Sequence, residues 1–246
     1  MIKNKGFLDD KRKGFFRENY RESLDYIKDS RNFIYSIMAI FLSFSFIGFF
    51  VPAPSVLETK ILEFIAELLR ETGGLSQLEL IKFIFFNNIQ SSFIGMLFGI
   101  ILGIFPVIAA LANGYLLGFV AEKTAETGGI YILWRIFPHG IFELPALFIS
   151  LGLGLKLGII ALIFFIVKPI QFYWNKNKLI SFSFILFYLP TLIITLISNN
   201  KLRNLMEKLL FNYLDYLSKS IKVFFFIVIP SLIIAAVIEG SLIFLF

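Results

Sequence analysis

From Phe83 to Ala121 the chain carries no Asp, Glu, Lys or Arg. At 1.5 Å per residue, one straight helix over this block would reach roughly 58 Å, about twice the hydrocarbon thickness of a bilayer. The block therefore reads as two crossings that turn near Gly103–Pro106, where glycine frees the backbone and proline removes an amide donor. The composition agrees. Hydrophobic residues make up 58% of the chain, with 32 Phe, and charged residues only 16%, a balance that excludes an ordinary soluble globule. The fold class expected is all-α, a polytopic helical membrane protein, because a helix satisfies its own backbone polar groups in lipid.

Other spans follow from the same criteria. Phe33–Val51 is uncharged and long enough to cross, and it lacks the small-residue cleavage pattern of a signal peptide. Ile130–Val167 is a third apolar block, interrupted by Arg135, His139, Glu143 and Lys156, and shorter blocks lie at Ser181–Ser198 and Val223–Phe246. Residues 1–31 hold nine Lys/Arg against six Asp/Glu, and the loop 198–222 is also basic. Between Pro52 and Glu79 only Lys60 and Arg70 face five glutamates. The positive-inside rule then places the N-terminus and the 198–222 loop in the cytoplasm and 53–79 outside, in a cell membrane. An even number of crossings must separate residues 31 and 198. A hinge around Gly152–Gly158, making two crossings of Ile130–Val167, gives seven in all; a re-entrant Ser181–Ser198, with Pro190 in its middle, is the other solution. The organisation expected is a basic amphipathic segment over 1–32 and a single transmembrane domain over 33–246.

Two amphipathic helices flank the spans. Phe16, Tyr20, Leu24 and Ile27 recur at helical spacing beside Lys13, Arg17, Arg21, Lys28 and Arg31, which suits a helix lying on the membrane lipids of the cytoplasmic leaflet. In 55–72, Leu57, Ile61, Phe64, Ile65 and Leu68 form one stripe, Ser55 and Glu58 have capping-box spacing, and Gly73-Gly74 ends the helix. Ser76 and Glu79 repeat the box at the next span. The outer helix is either an interfacial anchor or a docking face for a protein partner, with Glu63 and Glu67 as its candidate contacts.

Polar residues inside the spans are expensive and need partners. Asn87, Asn113, His139, Glu143 and Glu239 form the candidate intramembrane cluster, with His139 and Glu143 on one helical face at i, i+4 spacing. As a zinc site His139 and Glu143 fall short of three ligands, so no metal or other cofactor is expected. The chain has one histidine, no cysteine, no nucleophile elbow and no phosphate-cradling loop, so no catalytic residues and no enzyme activity are expected. Too little polar surface remains for a nucleic-acid groove. Gly95, Gly99 and Gly103, then Gly114 and Gly118, step at i, i+4, which lets helices approach closely. Packing within the helical hairpin explains them more simply than a homodimer seam, the alternative.

Four stretches also carry a resemblance. Asn87-Asn88 opens a glycine-stepped span through Gly95, Gly99 and Gly103, followed by Asn113-Gly114 with Gly118. Then come Pro138-His139-Gly140 with Phe142-Glu143-Leu144-Pro145-Ala146, and finally Ala235-Ala236 with Ile238-Glu239-Gly240. In these the chain resembles the stage II sporulation protein M family of integral membrane proteins. The resemblance implies a cytoplasmic N-terminus, about five core helices, and a last helix bearing a glutamate. The extra apolar length between Val167 and Asn200 then reads as an added hairpin. It also implies a scaffold role, since in spore formers the family member holds cell-wall-degrading partners at the engulfing membrane and is not known as the hydrolase. The competing expectation is a transporter, channel or lipid-handling protein that uses His139 and Glu143 as a buried polar site.

Overall fold

The computed structural model describes residues 3–101, 103–129, 137–168 and 200–245, and among them every regular element is helical. In chain order these are α1 (Lys3–Asp29), α2 (Arg31–Phe50), α3 (Ser55–Thr72), α4 (Gln77–Leu97), α5 (Ile104–Gly128), α6 (Phe137–Leu162), α7 (Asn200–Val223) and α8 (Ile229–Leu245). A π-helical turn, Phe224–Val228, joins α7 and α8 into one rod, and α6 runs on through a second such turn, Ile163–Val167. Among the described residues five helices are long and apolar enough to cross a membrane: Arg31–Phe50, Gln77–Ile100, Ile104–Gly128, Gly140–Val167 and Arg203–Ile243. The chain is a multi-pass membrane protein by helix composition. The added hairpin expected after Val167, the re-entrant alternative at Ser181–Ser198 and Arg135 lie outside the described residues.

Local chemistry sets the helix ends. Glu79 accepts hydrogen bonds from the Ser76 amide at 2.9 Å and the Ser76 hydroxyl at 2.6 Å, so the second expected box is built. The first is not. Pro54, held at φ −55° and ψ 139°, takes the N-cap position, and its carbonyl receives the amides of Leu57 and Glu58 at 2.8 and 3.0 Å. Ser55 is thereby the first helical residue, and Glu58 is left to pair elsewhere. The turn between α4 and α5 falls where the uncharged block suggests. A 3₁₀ turn at Phe98–Ile100 leads to Gly103 at φ 71°, a conformation that costs other residues a Cβ clash.

Side-chain pairs give the directions of the helices. Ser30, Ile34 and Phe41 of the α2 arm meet Lys156, Gly152 and Phe148 in turn, so α2 runs antiparallel to α6. Tyr213 and Tyr216 lie beside Phe165 and Lys156, and Glu239 lies near Glu143, so the α7–α8 rod also opposes α6. α4 packs on α8 through Leu80, Ile84 and Ala236, with Gln77 Nε2 3.4 Å from Ser241 Oγ. The bundle thus has an α1 end, at Ser30, Lys156 and Tyr216, and an α3 end, at Gln77, Lys123 and Ser241.

The expected hinge at Gly152–Gly158 is absent: α6 passes through these residues as one unbroken helix, and Pro145 stands inside it without ending it. The reason is on the far side of each glycine. A Cβ at Gly152 would enter Ile34, one at Gly154 would come within 2.8 Å of the Gly95 carbonyl, and one at Gly158 would strike the Gly99 and Gly103 backbone. These glycines serve close approach, not bending. Nor do the glycines of α4 and α5 face each other across their hairpin. Gly99 and Gly103 abut α6, and Gly95 meets Leu151, whereas Gly114 and Gly118 seat against the Phe41 and Ser45 carbonyls of α2. Around these seams Met96, Leu153, Leu157, Phe224 and Leu232 form one buried cluster, and Ile37, Phe41, Ala110 and Leu151 another.

At Ser30 the chain changes direction. Tyr26 meets Ser220, Glu22 meets Lys222 at 2.7 Å, and Phe16 meets Phe226. Numbers rise on α1 as they fall on the opposing rod, so α1 runs against α7 and does not prolong the course of α2. Its buried face is polar, with Asn19, Ser23 and Tyr26, while Phe15, Phe16, Tyr20 and Leu24 remain exposed. Asn19 and Ser23 satisfy their side chains on carbonyls of their own helix, both at 2.8 Å.

Candidate functional site

The fold brings together part of the polar set read from the sequence. Glu143 of α6 and Glu239 of α8 are half-buried and close enough for their charges to interact. Among the described residues no third His, Asp or Glu joins them to make a metal-binding group. Asn113 is exposed on α5 and donates to the Ala109 carbonyl one turn back, at 2.8 Å. Asn87 is exposed on α4. The backbone of His139 lies in α6, one turn before Glu143, and its side chain is outside the described residues. The pair thus sits toward the α3 end of the bundle, about a turn from the Gln77–Ser241 contact.

A second polar constellation stands at the α1 end. Lys156 is 7% exposed, and its ammonium donates to Ser30 Oγ at 2.9 Å. The same nitrogen lies 3.9 Å from the centre of the Tyr26 ring and 5.6 Å from that of Tyr216. Ser30 Oγ donates onward to the Tyr26 carbonyl at 2.7 Å. The Tyr26 hydroxyl donates to the Tyr216 carbonyl at 3.3 Å and lies 3.5 Å from Ser220 Oγ. Burial pushes the Tyr26 phenol up to about 12, so it remains a neutral donor at physiological pH. Among the described residues no carboxylate reaches within ion-pair distance of Lys156; Asp29 acts on it only through its field. A desolvated cation over aromatic faces gains about 2 kcal/mol. The cage therefore ties α6 to the α1–α2 junction and to α7 by one cation, two rings and a hydroxyl.

Sequence reasoning finds only Lys156 here, as an interruption in an apolar block. Its partners are 126 residues away at Ser30, and Tyr26 and Tyr216 are themselves 190 apart. No local spacing links them.

At the opposite end, α3 buries no residue. Leu57 and Phe64 of its stripe are exposed, as are Glu63 and Glu67, one turn apart. Among the described residues, the ion pair that joins α3 to the bundle is Glu58 with Lys123 of α5, at 3.1 Å.

Comparison with known proteins bears on this arrangement. The family described as Stage II sporulation protein M matches residues 37–242, which includes all five apolar spans almost entirely. Uncharacterized protein MJ0706 of Methanocaldococcus jannaschii is 31% identical over 128 residues, 49% of this chain and 56% of that protein. The chain thus spans little more than half the length of that relative. No solved structure matches.

Proposed function

The chain belongs to the stage II sporulation protein M family, and from that premise we propose that it is a non-enzymatic scaffold that positions partner proteins at the cell membrane. The observation that carries this reading is α3: a helix with an apolar stripe and four glutamates in which no residue is fully buried, Leu57, Glu63, Phe64 and Glu67 being exposed and Ile61, Ile65 and Leu68 half-buried. Charge supports its placement outside, opposite the basic N-terminus and 198–222 loop, which face the cytoplasm in this reading. The seams between spans support it too, because backbone meets backbone at Gly99, Gly114, Gly118 and Gly158 and makes the bundle a rigid carrier.

The test is affinity capture of the tagged full chain from its native membranes in mild detergent, beside Glu63→Lys/Glu67→Lys. A defined set of proteins held by the parent chain and released by the variant is expected. Identical recovery from both, or nothing above background, overturns the proposal.

Glu143 and Glu239 favour one other reading, a transporter or lipid-handling site, since two like charges placed together in a bundle invite a cation or proton between them. Loss of ion or lipid movement in vesicles on Glu143→Gln, with the fold intact, would establish it.

A further inference from the structure

The polar burial of α1 leaves its apolar residues facing a groove of about 1000 Å³ shared with α7 and the start of α8, at the upper end of small-ligand clefts. Phe16, Tyr20, Phe226 and Pro230 line it, and Arg17 and Lys222 stand on it as cations. Its apolar wall does not end at Pro230. Ile233, Ile234 and Val237 follow on α8 within the next two turns, all exposed and all on a helix that crosses the bilayer. A surface that passes from a membrane-facing stripe to two cations is matched to an amphiphile with an acidic head.

We propose that this groove binds one phospholipid with an anionic headgroup from the leaflet on the α1 side. The acyl chains lie along Phe226, Pro230 and the α8 stripe, and the phosphate meets Arg17 and Lys222. Lys222 is already shared with Glu22 at 2.7 Å, so Arg17, for which no acidic partner stands within ion-pair distance among the described residues, carries more of the discrimination. The antiparallel course of α1 matters here. By folding back at Ser30, the chain brings Phe16 and Arg17 up beside Phe226, where headgroups and acyl chains meet. Had α1 continued the line of α2, the same residues would stand some 20 Å from Ser30, beyond the bilayer surface.

Native mass spectrometry of the full chain in mild detergent, titrated with phosphatidylglycerol and with phosphatidylcholine, tests this. The parent chain is expected to retain one phosphatidylglycerol at least fivefold more tightly than phosphatidylcholine. Arg17→Gln should erase most of that preference, a roughly fivefold loss for one interfacial cation. Lys60→Gln, on α3 at the opposite end, should leave it unchanged. Equal retention of both lipids, an Arg17→Gln chain that keeps the parent's full preference for phosphatidylglycerol, or an equal loss with Lys60→Gln would each overturn the proposal. So would a dimer that excludes lipid and dissociates on Phe16→Ala, since a second copy would then occupy the groove. Arg17 is exposed, so its substitution leaves the fold to be verified by an unchanged helical melting curve.

Discussion

The two ends of the bundle solve the same problem in opposite ways. Each carries an amphipathic helix outside the spans and charged residues close to them. At the α1 end the helix is knitted in: Tyr26 and Ser30 wrap Lys156, and Tyr26 reaches the α7 carbonyl of Tyr216. At the α3 end the helix rests on the pairing of Glu58 with Lys123, and both side chains are more than a third exposed. Burial of polar contacts makes them selective and costly to break, whereas exposed ion pairs are screened and contribute little. The α1 end is thus built as a fixed base and the α3 end as a presented surface.

The largest effect is expected where the base is packed backbone on backbone. Gly158→Leu places a side chain where the Gly99 carbonyl and Gly103 amide now stand. Neither can retreat as a side-chain tip could, so a loss of about 4 kcal/mol or more is expected, which a circular-dichroism melt in detergent would record as failure to fold. Retention of a parent-like melt would mean that α4 and α6 do not meet as described, and the contrast between the two ends would lose its basis.

Next comes the cage. Lys156→Ala removes the cation and its stem together and leaves a cavity, for an expected cost of about 3 kcal/mol. Lys156→Met keeps the volume, gives up the rings and Ser30, and is spared the desolvation of a charge; about 1 kcal/mol is expected. Melting temperatures of the two variants separate packing from charge. If Met proved as damaging as Ala, the cation itself would be what holds the three elements.

The alkaline limb tests the same junction more gently. Tyr26 ordinarily ionises near 10.0 and here is held up at about 12 by burial. An unfolded chain would therefore lose this proton first, so the stability the group contributes is complete below pH 10 and is lost as pH rises toward 12. Tyr26→Phe should remove that part of the pH dependence. Parallel melts of parent and variant across this window check it, and coincident pH profiles would place the phenol in water.

Some of this was legible without coordinates. An uncharged run from Phe83 to Ala121 has no solution in lipid but a hairpin, and Gly103 stands where it turns. The amphipathic stripes of α1 and α3 and the Ser76–Glu79 cap were likewise local patterns with local causes. Gly152–Gly158 looks like a hinge in the sequence because glycine signals both bending and close approach, and what decides between them is Ile34 and Gly103, distant in sequence. Ser55 has the spacing of a cap, but Pro54 pre-empts it. Of the candidate cluster, Glu143 and Glu239 come together, but Asn113 folds back on its own helix. Lys156 was visible only as an anomaly, since three helices supply its surroundings.

The smallest effect is expected at the α3 end, and it is the one that sharpens the comparison most. Lys123 lies 3.1 Å from Glu58, but also 3.5 Å from Glu122 and 3.3 Å from Glu126 on its own helix. Glu58→Gln thus leaves Lys123 two other carboxylates, and nothing buried is disturbed. The melting temperature should stay within error of the parent chain. Hydrogen exchange should nevertheless accelerate in the α3 amides alone, because their helix has lost its tie while α1 keeps its own. If exchange rose in α1 as well, or if the melt fell, the outer helix would be a structural member of the bundle, and a surface that the bundle needs for itself is a poor one to offer a partner.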